Sequence, residues 1–167
     1  MKRSLRHLGI FFAAALIFLG CTFSWTQPSY AGSSTAIRVQ ENVLNDYSGQ
    51  ELLDFEMYNE DMEGVNFENA MMLGAVIKGS TMKGANLTGV NLSNSFFFQD
   101  ELDGANLTNA ILTDAMLMQT TFDGATIKGA DFSYSVITKE NLEVLCAIAE
   151  GTNPLTGMDT RESLECR

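Results

Sequence analysis

Histidine is almost missing from this sequence. The single one, His7, lies in an N-terminal stretch of basic and apolar residues, so the rest of the 167-residue chain has none. Without histidine, that remainder can form neither a Ser/His/Asp nor a Cys/His catalytic set. Its glycines recur at a fixed position of a repeat, so they do not form a phosphate-binding loop. We therefore expect a protein that is not an enzyme and that uses no cofactor.

Basic residues are also scarce, with 10 Lys and Arg against 21 Asp and Glu. Three of the ten lie in residues 2–6, before an apolar run over residues 8–23. This order is typical of an export leader. Small residues at the positions that a signal peptidase reads place cleavage after Ala31, so residues 1–31 are the predicted signal peptide. The run is short for a membrane span, and an uncleaved anchor or a lipid attached at Cys21 is the alternative.

Removal of the leader makes the remaining chain strongly acidic. The remaining chain has seven Lys and Arg and 21 Asp and Glu, which gives a formal charge of −14. Such a surface repels nucleic acid and anionic membrane, so we expect neither a nucleic-acid partner nor a stable membrane span after cleavage. The charge would attract a basic partner, and a plainly solvated exterior is the alternative interpretation.

Two cysteines, Cys146 and Cys166, lie beyond the leader. In an exported protein, an isolated pair of cysteines predicts a disulfide. The bond would close a loop of about 20 residues and contribute roughly 3 kcal/mol in the chain-entropy model. Two thiols are only half a zinc site, so we expect no metal. A redox-switched tail is the alternative, although only Arg167 stands near enough to activate a thiol.

A period of five residues runs through the middle of the chain. Every fifth residue from Leu52 to Leu142 is large and apolar. Two positions before it, between residues 65 and 135, a small residue recurs, and Asp100 is the clear exception. Glycine is common two residues after the large position, and asparagine often precedes it. The large and small positions are the predicted core.

This period fits neither a helix nor a flat strand. Steps of five walk around a helix, and an odd step along a strand reverses the side chain. The chain must therefore turn once per repeat, with Gly and Asn supplying the turn conformations. Four short sides would make one coil of twenty residues, and stacked coils would pair their backbones at ~4.8 Å spacing.

Three segments carry a family resemblance. Residues 85–89 (ANLTG), 105–109 (ANLTN) and 130–134 (ADFSY) resemble the A(D/N)LXX motif of the pentapeptide-repeat family. The resemblance implies an all-β solenoid, a right-handed quadrilateral β-helix, which we place at residues 47–139. It implies little about function, because a fold does not determine what its members do.

The two ends should close this solenoid. Thr138 can cap a helix that runs to about Glu150, and Asp159 with Glu162 forms a second, short capping box. Residues 140–167 are therefore the predicted C-terminal helical cap with the disulfide, and residues 32–46 the N-terminal lead-in or cap. The tail from Leu145 to Cys166 is similar to that of thylakoid-lumen pentapeptide proteins of plants and cyanobacteria. This similarity implies a protein of a thylakoid lumen or periplasm, and the short leader, which is of bacterial type, favours a cyanobacterial source.

The outward positions predict an interaction face, because residues twenty apart stack on the same side of the coil. One side is apolar, and its residues are Val76, Phe96, Phe98, Met116, Met118 and Val136. The neighbouring side adds Met71, Leu73 and Ile111. Contiguous apolar patches tend to mark contacts, with the protein's own termini as the alternative cover.

We therefore expect a non-enzymatic scaffold or interaction module that binds a protein partner, or a second copy, through this face. The alternative is a DNA mimic that binds a DNA-processing enzyme such as a topoisomerase, as some cytoplasmic members of the family do. The leader argues against that alternative, because its target lies in the cytoplasm.

Asp100 interrupts the small column, and an inward carboxylate is costly unless it is hydrogen-bonded or protonated. We expect a local bulge of the coil there. A backbone donor that meets the carboxylate is the other possibility, and a ligand site is the less favoured one.

Overall fold

A computed structural model describes residues 45–167. The predicted signal peptide, residues 1–31, and all but the last two residues of the predicted lead-in lie outside the described part. From residue 46 the chain winds as a right-handed β-helix in which each coil has four short sides. Parallel bridges join residues twenty apart, such as Asp46 to Asn66 and Asn66 to Asn86, so one coil takes twenty residues as predicted.

One side of the helix forms a regular parallel sheet in the order β1-β2-β3-β4-β5. Its strands are β1 (Glu56–Tyr58), β2 (Val76–Lys78), β3 (Phe96–Phe98), β4 (Met116–Met118) and β5 (Val136–Ile137). The register keeps the twenty-residue step throughout. At about 4.8 Å per strand spacing, the sheet is roughly 19 Å tall.

The interior holds the two predicted columns. The large residues from Leu52 to Phe132 are all buried, and Leu87 and Leu107 are inaccessible to solvent. The small residues from Val65 to Ala130 are buried beside them. A small and a large residue on each side fill a narrow core, as the period of five predicted.

The corners adopt left-handed backbone conformations, which explains the glycines and asparagines there. In several columns an asparagine of one coil lies below a glycine of the next. A Cβ on Gly89 would collide with the side-chain amide oxygen of Asn69. Gly129 lies in the same way above Asn109. Glycine is thus required at these corners for two reasons: the backbone has a positive φ, and the asparagine side chain of the coil below leaves no room for a Cβ atom.

The four sides present different surfaces, and we name them in chain order around the coil. The asparagine face comprises residues 46–48, 66–68, 86–88, 106–108 and 126–128. The tail face comprises 51–53, 71–73, 91–93, 111–113 and 131–133. The strand face is β1–β5. The acidic face comprises 61–63, 81–83, 101–103 and 121–123.

Two helices follow the last coil. Helix α1 (Lys139–Ile148) begins at the N-cap Thr138, as predicted, and ends two residues before the expected Glu150. Helix α2 (Thr160–Ser163) begins after Asp159, whose carboxylate accepts hydrogen bonds from the N–H groups of Arg161 and Glu162, which confirms Asp159 as the N-cap but not the return bond of Glu162. Leu145 of α1 is fully buried against the end of the core.

Asn153 fixes the tail to the solenoid, and it is buried. Its Nδ2 donates to the carbonyl oxygens of Asn109, Ala110 and Gly129 at 3.1, 3.2 and 2.9 Å. The N–H of Gly129 donates to the carbonyl of Glu150 at 2.8 Å, as if the tail were one more coil. The tail therefore closes part of the hydrogen-bonding edge of the last coil, at Gly129 and Phe132.

Candidate functional site

The residues predicted for the interaction face all lie together on the strand face. Val76, Phe96, Met116 and Val136 stack in one column, and Phe98 lies directly below Met118 in the next. Phe98, Met116 and Val136 are 36%, 43% and 49% exposed, and the others are half-buried. Because their backbones are paired in a sheet, these side chains stand on a rigid support.

Three residues of β1 and β2 complete this face, and the sequence analysis missed them. The Nζ atom of Lys78 lies 5.7 Å from the ring centre of Tyr58 and 5.3 Å from that of Phe96. The Tyr58 hydroxyl donates to Glu56 at 3.2 Å. Burial and the neighbouring Glu56 carboxylate raise the pKa of Tyr58 above its ordinary value. The twenty-residue step back from Phe98 to Lys78 and Tyr58 was the signal that could have found them.

The C-terminal tail packs on the tail face. It buries Ile111 and Asp131 there, whereas Phe98 and Met116 of the strand face stay exposed. Ser163 of the tail accepts from the N–H of Phe132 at 3.0 Å. The alternative in which the termini cover the apolar residues applies to Ile111 of the neighbouring face, whereas the C-terminal tail leaves Phe98 and Met116 of the strand face uncovered.

The acidic face borders the strand face. Its outward acids are Asp61, Glu63, Glu101, Asp103 and Asp123. Lys83 is the one base among its outward residues, and its Nζ lies 2.8 Å from Glu101. The hydrogen bond to Glu101 and the charge of that carboxylate raise the pKa of Lys83. Both partners of this pair are exposed to solvent, so it contributes little to stability.

Asp100 lies inside, at the corner between these two faces. Its carboxylate accepts hydrogen bonds from the N–H of Ser80 at 2.8 Å and of Phe98 at 2.7 Å. Bridges from Thr81 through Glu101 to Thr121 continue past it without interruption. The predicted local bulge is therefore wrong, because two backbone donors satisfy the buried carboxylate in an undistorted coil. Burial raises the pKa of Asp100, and the two hydrogen bonds offset part of that rise.

Two cysteines and a cavity mark the C-terminal cap. Cys146 and Cys166 form a disulfide across twenty residues. Beside it a cavity of about 600 Å³ lies between the last coil, α1 and the tail. Its lining carries cations, Lys139 and Arg167, together with the acids Glu143 and Glu165, so the cavity does not select a ligand of one charge.

Neither a metal site nor a spanning helix is found in the described residues. Between residues 45 and 167, no cluster of three His, Cys, Asp or Glu side chains is placed to hold a metal ion. In the same range, no helix has both the length and the apolar character that a membrane crossing requires.

Comparison with family models finds the pentapeptide repeats in eight copies, over residues 61–97 and 101–134. These matches fall on the stacked coils and end before the helical cap. The comparison with curated proteins finds no match.

Several solved structures match. A pentapeptide repeat protein from the thylakoid lumen of Arabidopsis thaliana is 30% identical, and the match covers 73% of this chain and 85% of that one with a TM-score of 0.40. One from Nostoc is 29% identical, over 52% and 68% of the two chains, with a TM-score of 0.40. QnrB1, a plasmid-mediated fluoroquinolone resistance protein, is 19% identical, over 54% and 62%, with a TM-score of 0.35.

Proposed function

The chain belongs to the pentapeptide repeat family, and from this premise we propose that it is an exported, non-enzymatic module that binds a protein partner through its strand face. The observation that carries the proposal is the contiguous apolar column on β2–β5, exposed on a molecule that is otherwise strongly acidic. Large exposed apolar patches on soluble proteins mark interaction sites.

The rigidity of this face favours binding. Its side chains stand on a paired sheet above a close-packed core, so little conformational entropy is lost when a partner arrives. Phe96 and Phe98 already stack, with ring centres 6.3 Å apart. Fully burying one such side chain contributes roughly 1.5–3 kcal/mol, so the two phenylalanines are the expected anchors.

The buried acids support a non-catalytic role. Asp100 is occupied by two backbone N–H groups, and Asp131 accepts from the N–H and the hydroxyl of Ser133 at 2.9 and 2.6 Å. A general acid or base must instead be free to exchange a proton with a substrate.

We place the protein in a thylakoid lumen or periplasm. The basic and apolar order of residues 2–23 is that of an export leader. The bond between Cys146 and Cys166 is of the kind that persists in oxidising compartments. Mass spectrometry of the native protein should find its first residue directly after Ala31, and cell fractionation should find it outside the cytoplasm. An intact leader on a cytosolic protein would contradict export.

The proposed face is tested by capture of the partner from gently solubilised membranes. We compare the natural protein with Phe96→Ser/Phe98→Ser and with a matched control, Leu53→Ser/Leu73→Ser, which removes two exposed apolar side chains from the tail face. We expect the strand-face variant to lose the partner at an unchanged Tm, while the control retains it. Equal capture by both variants, or a large fall in Tm for the first, would refute the proposal.

A further inference from the structure

The charge of the β-helix is distributed unevenly over its four sides. The outward residues of the acidic face carry five acids and one lysine. On the strand face Glu56 and Lys78 cancel, so that side has no net charge. These two sides meet at one corner, and Phe98 precedes Glu101 by three residues, as Tyr58 precedes Asp61. An apolar strip therefore runs directly alongside a negative one.

The opposite border of the strand face is different. The tail face next to it is apolar at its N-terminal end, where Leu53, Met71 and Leu73 are exposed. At its C-terminal end the tail covers it and buries Ile111. The corner between these two faces carries two exposed acids, Asp54 and Asp114. The strand face is thus more acidic along one border than along the other, which gives it a direction across its width.

We propose that the partner docks an amphipathic helix on the strand face, with a flank of Lys or Arg lying over the acidic face. This inference rests on the proposed function, because it names the chemistry of the partner that the strand face binds. The sheet is roughly 19 Å tall, which corresponds to about 13 residues of helix at 1.5 Å per residue. Three strand residues are about 10 Å wide, close to the diameter of a helix.

A helix fits this surface better than a strand does. The strands β2, β3 and β4 are paired on both sides, so between the two end strands the face offers side chains and no backbone edge to a partner. Adding a strand requires free N–H and C=O groups at a sheet edge. An apolar helical stripe needs only a groove or strip of apolar side chains, such as the one around Phe96 and Met116.

A second copy of the chain fits less well. Residues 45–167 contain six Lys and Arg against 20 Asp and Glu, a formal charge of −14, so two copies repel. The lysine of the strand face, Lys78, already lies over the Tyr58 and Phe96 rings, and Lys83 is paired with Glu101. The chain therefore has no row of bases to place against its own acidic face in the described residues.

The acidic border can be neutralised without disturbing its turns. The Oδ1 atom of Asp61 accepts from the N–H of Glu63 at 3.1 Å, and that of Asp103 from the N–H of Asp123 at 3.0 Å. Asparagine retains this oxygen, so the bond within the turn at Asp61 and the bond between coils at Asp103 are both kept. The test variant is Asp61→Asn/Glu63→Gln/Asp103→Asn/Asp123→Asn. A matched control of equal charge change away from the strand face is Asp46→Asn/Glu51→Gln/Glu68→Gln/Glu150→Gln.

The probe is a synthetic 18-residue helix with leucines at i, i+3, i+4 and i+7 spacing and lysines along one flank, followed by fluorescence anisotropy. We expect the acidic-face variant to bind it about tenfold more weakly, as four lost charge contacts at an exposed border imply. The control should bind within about threefold of the natural protein. The binding should also weaken with salt, more steeply for the natural protein than for the acidic-face variant.

Equal weakening by the two charge variants would overturn the inference, because only the total charge would then matter. A peptide with glutamates in place of the lysines that binds equally well would overturn it too. The capture experiment with Phe96→Ser/Phe98→Ser is a separate readout. The proposed function can therefore hold even if either of these two results refutes the helix. Analytical ultracentrifugation tests for a second copy. A dimer of the natural protein that Phe96→Ser/Phe98→Ser abolishes would show that the strand face binds a second copy, and it would refute the helix.

Discussion

Replacing Asn153 by alanine should detach the C-terminal tail while leaving the coils folded. Its Nδ2 group serves three carbonyl oxygens of the last coils, and its Oδ1 accepts from the N–H groups of Leu155 and Thr156 at 2.9 and 3.1 Å. The amide group has two hydrogens, so its three donor contacts count as two full hydrogen bonds, and the two accepted bonds make four, each worth about 1 kcal/mol net. We expect Asn153→Ala to lower the free energy of unfolding by about 4 kcal/mol.

Urea unfolding followed by circular dichroism measures that loss, and native-state hydrogen exchange locates it. The N–H groups of Gly129 and Phe132 bond to Glu150 and Ser163 of the tail. Their exchange should accelerate in the variant, whereas the N–H of Leu107, bonded to Thr126 within the coils, should keep its protection.

Asn106→Ala is the matched control, because its Oδ1 accepts from Thr108 in an exposed turn and contacts no part of the tail. It should cost about 1 kcal/mol or less and leave the exchange of Gly129 unchanged. A loss below about 1 kcal/mol for Asn153→Ala, with Gly129 still protected, would refute the reasoning.

Three further changes test the cap, the corners and the buried acid. Replacing Cys146 and Cys166 by serine should lower the free energy of unfolding by about 3 kcal/mol in urea, and no loss would contradict a structural bond. Gly89→Ala should cost about 1–3 kcal/mol in the same assay, and Asn69→Gly should recover part of it; no recovery would mean that φ alone causes the loss. Because burial raises the pKa of Asp100 above 3.8, its contribution to stability is present below that pH and is lost as pH rises through the folded pKa. As the pH rises through that pKa, the natural protein should therefore lose stability relative to Asp100→Asn, which urea unfolding at several pH values measures. A difference in unfolding free energy that stays constant with pH would contradict a raised pKa.

Sequence reasoning found the core and the strand face because both follow from periods alone. Once the chain turns every five residues, the direction of each side chain is set, and a step of twenty stacks Phe96 on Val76. The same arithmetic placed Leu87 and Leu107 inside. The N-cap of α1 was equally predictable, since capping depends on neighbouring residues only.

Contacts that depend on three-dimensional detail were not predictable. The N–H of Phe98, at the corner, and that of Ser80, in the coil below, both point at the Asp100 carboxylate. No pattern in the sequence indicates the direction of these two N–H groups. Asn153 reaches Asn109, 44 residues earlier, through a tail that has no period. The place of Lys78 between two rings also needs side-chain positions, although its column could have been read from the step of twenty.

The twenty-residue pairing restricts how the length of this protein can change. Loss of a single pentapeptide just before β3 would advance every later residue, the tail included, by a quarter turn, so Phe96 would stack on Met71 instead of on Val76 and the apolar column would be broken. Loss of a whole coil would instead shorten the rod by one layer and return each later side chain to its own side. Insertions and deletions that keep the apolar column of the strand face intact must therefore be whole coils of twenty residues.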